Sequence, residues 1–256
     1  MKILVTGFEP FDNESMNPAY EAVSGLPHMI DGAEIIKKQL PVVFNKAGEM
    51  VQQFMRKLHP DMVLLVGMWG GRTAMSVERI AINMQSCQIG FNDNDGNCPQ
   101  DKKVVEDGPD GIFSNLPVRA MVDRMTENGV PAFLSNTAGV FVCNDIMYHA
   151  LYLQRTECQN MKVGFVHVPY AVKQNHPFSA SMPLAEITRG GGSCVLKRWS
   201  GKLVILIILY GQKAIETLLR KESSFPSGGM ILAVTWGAFH FVRGDQDSKY
   251  GTEFLL

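Results

Sequence analysis

Met62-Val63-Leu64-Leu65-Val66-Gly67 is the stretch that decides the fold. Five apolar residues without polar alternation, closed by a glycine, suit a strand buried on both faces of a sheet. Just before it, Ala47, Val51, Phe54, Met55 and Leu58 recur at helical spacing and predict an amphipathic helix. A helix feeding a fully buried strand is the repeating unit of α/β architecture. Towards the N-terminus, residues 2–6 and 34–43 carry strand patterns. Asn17-Pro18 between them suits a helix start, with asparagine capping and proline at the first helical position.

Towards the C-terminus, residues 77–84 read as another strand. A polar loop rich in Gly, Asn and Asp follows over about 88–111, long enough to suggest a functional lid. Val118, Met121, Val122 and Met125 predict a helix, residues 131–134 a strand, and a further helix begins near Cys143. Residues 162–168 form one more apolar strand. The alternation predicts one α/β domain with a largely parallel sheet covered on both faces. After about residue 190 the character changes. Gly190-Gly191-Gly192-Ser193 leads to a β-like run at 203–209, a helix-like piece at 213–219 and a tail rich in Gly, Ser and Pro.

Composition narrows the function classes. A chain of 256 residues, 46% hydrophobic and 19% charged, can bury one sizeable core. A net charge of −1 supplies no polybasic surface, so neither nucleic acid nor membrane is an expected partner. The longest apolar run, 203–209, is far shorter than the ~20 residues of a membrane span. The apolar N-terminal stretch is too short for a signal peptide and reads as the first strand. Five cysteines stand at 87, 98, 143, 158 and 194, an odd number with no Cys-x-x-Cys pair. That usage predicts neither a disulfide framework nor a structural zinc site, and a reducing cytoplasm is the expected compartment.

Three residues could carry chemistry. Cys143 sits where the small-residue turn Ser135-Asn136-Thr137-Ala138-Gly139 feeds a helix, and a helix N-terminus favours thiolate over thiol. His167 closes the strand Gly164-Phe165-Val166, at the carboxyl end where parallel sheets line a ligand crevice. Glu78 is a carboxylate inside the apolar strand Ser76-Val77-Glu78-Arg79-Ile80. Taken singly, each has a plainer reading: a core thiol, a satisfied core imidazole and an ion pair with Arg79. Nucleophile, base and orienting acid form a catalytic set only if they converge in space, which spacing does not show.

Five blocks in order resemble the pyroglutamyl peptidase I family and cover roughly residues 1–189. They are Thr6-Gly7-Phe8-Glu9-Pro10-Phe11 with Asn17-Pro18; Leu40-Pro41-Val42-Val43-Phe44; and Gly67 to Ile82, with Gly70-Gly71-Arg72 and Glu78-Arg79-Ile80-Ala81-Ile82-Asn83. The others are Ser135 to Tyr148, around Ala138-Gly139-Val140-Phe141-Val142-Cys143-Asn144, and Phe165-Val166-His167-Val168-Pro169-Tyr170. The resemblance implies a three-layer α/β/α sandwich with a mostly parallel mixed sheet and an atypical C-terminal segment. It also implies a cysteine exopeptidase that cleaves after an N-terminal pyroglutamyl residue. Glu78, Cys143 and His167 would be its triad, and Phe8, Phe11 and Phe141 the walls of a pocket for the pyroglutamyl ring. Asn17 would be a polar partner there or simply the helix cap. No metal or organic cofactor is required, pyroglutamyl peptides are the expected partner, and a homo-oligomer is allowed.

The chain departs from the family pattern in three places. Asp12-Asn13 replace the usual Gly-Gly. Gln88 stands where arginine is common, followed by a short insertion at about Gly90 to Asn92. Ser181-Met182-Pro183-Leu184 resembles the lead into the family's last helix, yet the helix itself is matched only at 213–220. This division gives a catalytic domain at 1–189, an atypical insertion at 190–212 and an atypical tail at 221–256. Gln88 and the altered C-terminus motivate an alternative: an inactive or weakly active relative that binds pyroglutamyl peptides without turnover.

Overall fold

The computed structural model describes residues 1–194, 230–235 and 238–243. A seven-stranded sheet is built from β1 (Lys2–Phe8), β2 (Met29–Ile30), β3 (Ala33–Leu40), β4 (Met62–Met68), β5 (Met75–Glu78), β8 (Ala132–Ser135) and β9 (Lys162–Val168). Its spatial order is β2-β3-β1-β4-β9-β5-β8. The β1–β3, β1–β4, β4–β9 and β5–β8 pairings are parallel, whereas β2–β3 and β5–β9 are antiparallel. The sheet is therefore mixed and mostly parallel. β6 (Ile80–Ile82) and β7 (Gly111–Phe113) form a separate antiparallel pair, and β10 (Tyr170–Ala171) pairs with β11 (Ser181–Met182).

Side-chain parity along the central strands creates two cores. Ile3, Val5, Leu64, Val66, Val77, Val166 and Val168 face one layer, packed with α1 (Pro18–Ser24), α3 (Val118–Glu127) and α5 (Leu184–Thr188). Leu4, Val63, Leu65, Val163 and Phe165 face the other, against α2 (Lys46–Leu58) and α4 (Val142–Thr156). Successive residues of a strand point to opposite faces, so an apolar run with no alternation means both faces are covered. This gives the α/β/α sandwich. His167 shares its face with Phe165 and is aimed towards the α4 layer.

The expected strand at 77–84 is divided: β5 ends at Glu78 and β6 begins at Ile80. Arg79 is the break, its N–H donating to Ser135 O and its carbonyl accepting from Ser114 N. α1 is capped as its sequence suggested, with Asn17 Oδ1 accepting from Ala19 N–H and Pro18 in the first turn. Among the described residues, no helix is long and apolar enough to cross a membrane.

Residues 205–256 form a second compact unit, in which β12 (Met230–Thr235) and β13 (Ala238–Arg243) pair as an antiparallel hairpin. The β-like run at 203–209 and the helix-like segment at 213–220 lie outside the described residues.

Candidate active site

β5 enters the sheet antiparallel to β9, with Ser76 opposite His167 and Glu78 opposite Phe165. Directly opposed residues share a face, and residues two apart do also, so Ser76, Glu78 and His167 all point to the α4 side. Glu78 and His167 are diagonal neighbours, close enough for side chains to meet. His167 Nδ1 lies 2.8 Å from Glu78 Oε1. An ionised carboxylate only accepts, so Nδ1–H is the donor and Nε2 is left to accept a proton.

Burial is the largest influence on Glu78 and would raise it. The hydrogen bond and charge of His167, with Ser135 and Arg72, outweigh it and hold the carboxyl below the ordinary carboxylate value. Burial also dominates at His167, keeping the imidazole below its usual value; Glu78 opposes and Arg72 assists. The imidazole is therefore neutral at neutral pH and able to act as a base.

Cys143 is the second residue of α4, and the helix is pinned to its surroundings immediately beyond it. Asn144 accepts from Ile82 N–H at 2.9 Å and donates to Ile82 O and Met84 O at 2.8 and 2.9 Å. Asp145 accepts from Asn45 N–H at 2.9 Å and from Gln85 Nε2 at 2.6 Å. Both side chains are fully buried. On the other side of Cys143, Gly67 of β4 gives it room: a Cβ there would sit 2.8 Å from Cys143 Sγ and 2.7 Å from Phe165 Cζ. The thiolate-favouring influence expected of the helix terminus meets opposing ones here. Burial pushes the Cys143 thiol up to about 12, Glu78 adds to the rise and Arg72 opposes it. These influences favour the thiol form, so chemistry at Cys143 Sγ would call on a base.

Cys143 and His167 open into one cleft of about 690 Å³, whose lining includes Phe8, Phe11, Asn17 and Phe141. Phe11 and Phe141 lie 5.4 Å apart by ring centroids, and Phe44 backs Phe141 edge-on at 5.0 Å. Asn17 is at the cleft wall, but both ends of its amide are used internally, Oδ1 as the helix cap and Nδ2 as donor to Glu9 O. Gln88 lines the cleft as an exposed residue.

Several site residues carried no assigned role in the sequence reading. Phe91, in the short insertion, meets Phe11 edge-on at 5.2 Å and Phe141 at a tilt at 5.3 Å. Arg72, quoted only as part of a block, is the ion-pair partner of Glu78 in place of the adjacent Arg79. Cys87 and Cys98 are joined by a disulfide across the loop that carries Gln88 and Phe91, one bond where the cysteine usage predicted no disulfide framework. Their Cα atoms are 5.5 Å apart because the chain doubles back over eleven residues. Among the described residues, no group of three or more His, Cys, Asp or Glu could hold a metal ion.

The family model described as pyroglutamyl peptidase matches residues 1–191. A pyrrolidone-carboxylate peptidase from Clostridium perfringens is 47% identical over 192 residues, spanning 74% of this chain and 89% of that protein. One from Streptococcus pyogenes is 48% identical over 74% of this chain and 88% of its own. Among solved structures, pyroglutamyl peptidase I from Bacillus amyloliquefaciens superposes with a TM-score of 0.73 at 34% identity, covering 76% of this chain and 92% of that one.

Proposed function

The chain belongs to the pyroglutamyl peptidase family, and on that premise we propose that Cys143, His167 and Glu78 hydrolyse the peptide bond after an N-terminal pyroglutamyl residue. The observation that carries the reading is the Glu78–His167 contact of 2.8 Å, with His167 and Cys143 opening into the same aromatic-walled cleft.

His167 Nε2 takes the thiol proton as Cys143 Sγ forms a bond to the pyroglutamyl carbonyl carbon. The first N–H groups of a helix have no acceptor within it, so those of Val142 and Cys143 can stabilise the developing oxyanion. The C–N bond breaks as His167 returns the proton to the departing amine, leaving a thioester on Cys143. Water then attacks, giving its proton to His167, and the sulfur leaves to regain a proton as the free pyroglutamic acid is released. Glu78 stays ionised throughout and stabilises the imidazolium.

Selectivity follows from the walls. A five-membered lactam is small and uncharged, so Phe8, Phe11 and Phe141 can cover it at little desolvation cost. Against these rings a free N-terminal ammonium would lose hydration without gaining a hydrogen-bond acceptor from them. We take 1–189 as the catalytic domain, 190–212 and 221–256 as segments foreign to the family, and 213–220 as the counterpart of its last helix. The reading keeps a cytoplasmic enzyme, free to form homo-oligomers, in which the Cys87–Cys98 bond is the feature a reducing compartment would open.

A panel of pyroglutamyl, prolyl and glutaminyl amides tests the proposal. Turnover of the pyroglutamyl amide alone supports it. Equal turnover of the prolyl amide contradicts it, and binding of pyroglutamyl peptides without any turnover would leave only a recognition role.

A further inference from the structure

Glu78 is fully buried, and a buried carboxylate persists as an anion only when paired. One of its oxygens, Oε1, collects three donors: His167 Nδ1 at 2.8 Å, Arg72 Nη1 at 2.8 Å and Ser76 Oγ at 3.2 Å. The oxygen that orients the base is thus the same one that the guanidinium holds.

Arg72 is itself held. Its guanidinium carbon lies 3.8 Å from the centroid of the Trp69 ring, a cation–π contact, and 5.6 Å from that of Phe133. Nη1 also donates to Ser76 Oγ, and Nη2 reaches Thr137 O at 3.5 Å. Trp69 meets His167 edge-on, with centroids 5.1 Å apart, so one indole sets the positions of both the arginine and the base. The chain doubles back from Trp69 to Arg72 through Gly71 at φ 82°, a conformation that side chains other than glycine rarely adopt.

We infer that Arg72, seated on Trp69, is the positioning residue of the triad, fixing the Glu78 oxygen against which His167 is aligned. The inference rests on the triad reading above. The titratable and charged groups facing His167 are Glu78 from β5, Cys143 from α4 and Arg72 from the loop after β4. The Arg72 charge acts on all three partners in one direction, favouring the ionised carboxylate, the neutral imidazole and the thiolate. A cation that only neutralised a buried acid would act on His167 by its charge alone, and loss of the Trp69 platform with that charge kept would leave the His167 titration where it is.

The test is an NMR titration of His167 in a Cys143→Ala background, alongside the acid limb of kcat/KM in the protein with its cysteine intact. In Arg72→Gln the Glu78–His167 pair gains affinity for its shared proton, so the midpoint rises by on the order of one pH unit and the acid limb moves with it. Arg72→Lys keeps the charge and restores the midpoint to near that of the unsubstituted protein. An unmoved midpoint and acid limb in folded Arg72→Gln overturn the inference. Should Arg72→Gln fail to fold, Trp69→Leu removes the platform and leaves the charge: a raised midpoint supports the assignment and an unchanged one overturns it. Because the NMR titration needs no turnover, a protein that fails to cleave pyroglutamyl amides would refute the functional reading while Arg72 is still judged.

Discussion

Glu78 meets His167 at 2.8 Å because β5 runs antiparallel to β9 in an otherwise mostly parallel sheet. The reversal sets Ser76 opposite His167 and Glu78 opposite Phe165, so Glu78 and His167, 89 apart in sequence, become diagonal neighbours on one face. The carboxylate is thus supplied from rigid strand backbone, and its direction is set by pleat parity.

Gly67 lies on the sheet directly against Cys143. The added methyl of Gly67→Ala would sit 2.8 Å from Cys143 Sγ and 2.7 Å from Phe165 Cζ, so the helix terminus or the ring must move. Overpacking of this kind costs about 1–3 kcal/mol. A displacement near 1 Å at the nucleophile lowers turnover by roughly 100-fold. Denaturant unfolding and steady-state kinetics on the same preparation check both figures.

Acid should destabilise the fold in two stages. His167 is held below its ordinary value of 6.5, so the unfolded chain binds the proton more readily, and stability falls as pH drops below about 6.5. Glu78 is held below 4.5, so its contribution is present above that value and disappears as pH falls through the lower folded one. A melting profile from pH 8 to pH 3 should decline from near pH 6.5 downward. His167→Gln should flatten the upper part of that decline.

Cys143 should alkylate as a thiol. With its value pushed up to about 12, modification by iodoacetamide should climb steadily from pH 7 to pH 10. Peptide mapping by mass spectrometry isolates this residue from Cys158. A rate already on a plateau at neutral pH would mean a resting thiolate–imidazolium pair instead.

Phe91 completes an aromatic cluster with Phe11 and Phe141 from a loop braced by Cys87–Cys98. Ring pairs of this kind contribute about 0.5–1.5 kcal/mol, which corresponds to a KM rise of roughly 2- to 12-fold in Phe91→Ala. kcat should change little, because the ring touches no reacting atom. Initial-rate kinetics on a pyroglutamyl amide separate the two parameters.

The centre of the fold was legible because β1, β4 and β9 are buried on both faces and leave continuous apolar runs. β5 was less so: Ser76 and Glu78 turn polar side chains to the site, and nothing in the pattern marks Arg79 as the break before β6. The proposed triad was visible only through family resemblance, since local chemistry left a core thiol, a core imidazole and an Arg79 ion pair as open readings. Arg72 went unassigned because its reach to Glu78 depends on the Gly71 turn and the Trp69 face. The Cys87–Cys98 bond depends likewise on how a polar loop doubles back. The thiolate expectation weighed the helix terminus without the burial that opposes it.

The central claim is tested most directly by cleavage of a pyroglutamyl–coumarin amide by the full chain and by Cys143→Ala, with circular dichroism to confirm that both are folded. The account predicts fluorescence release by the unsubstituted protein and a loss of roughly 10⁴-fold or more in the variant. Equal release by folded Cys143→Ala would contradict it.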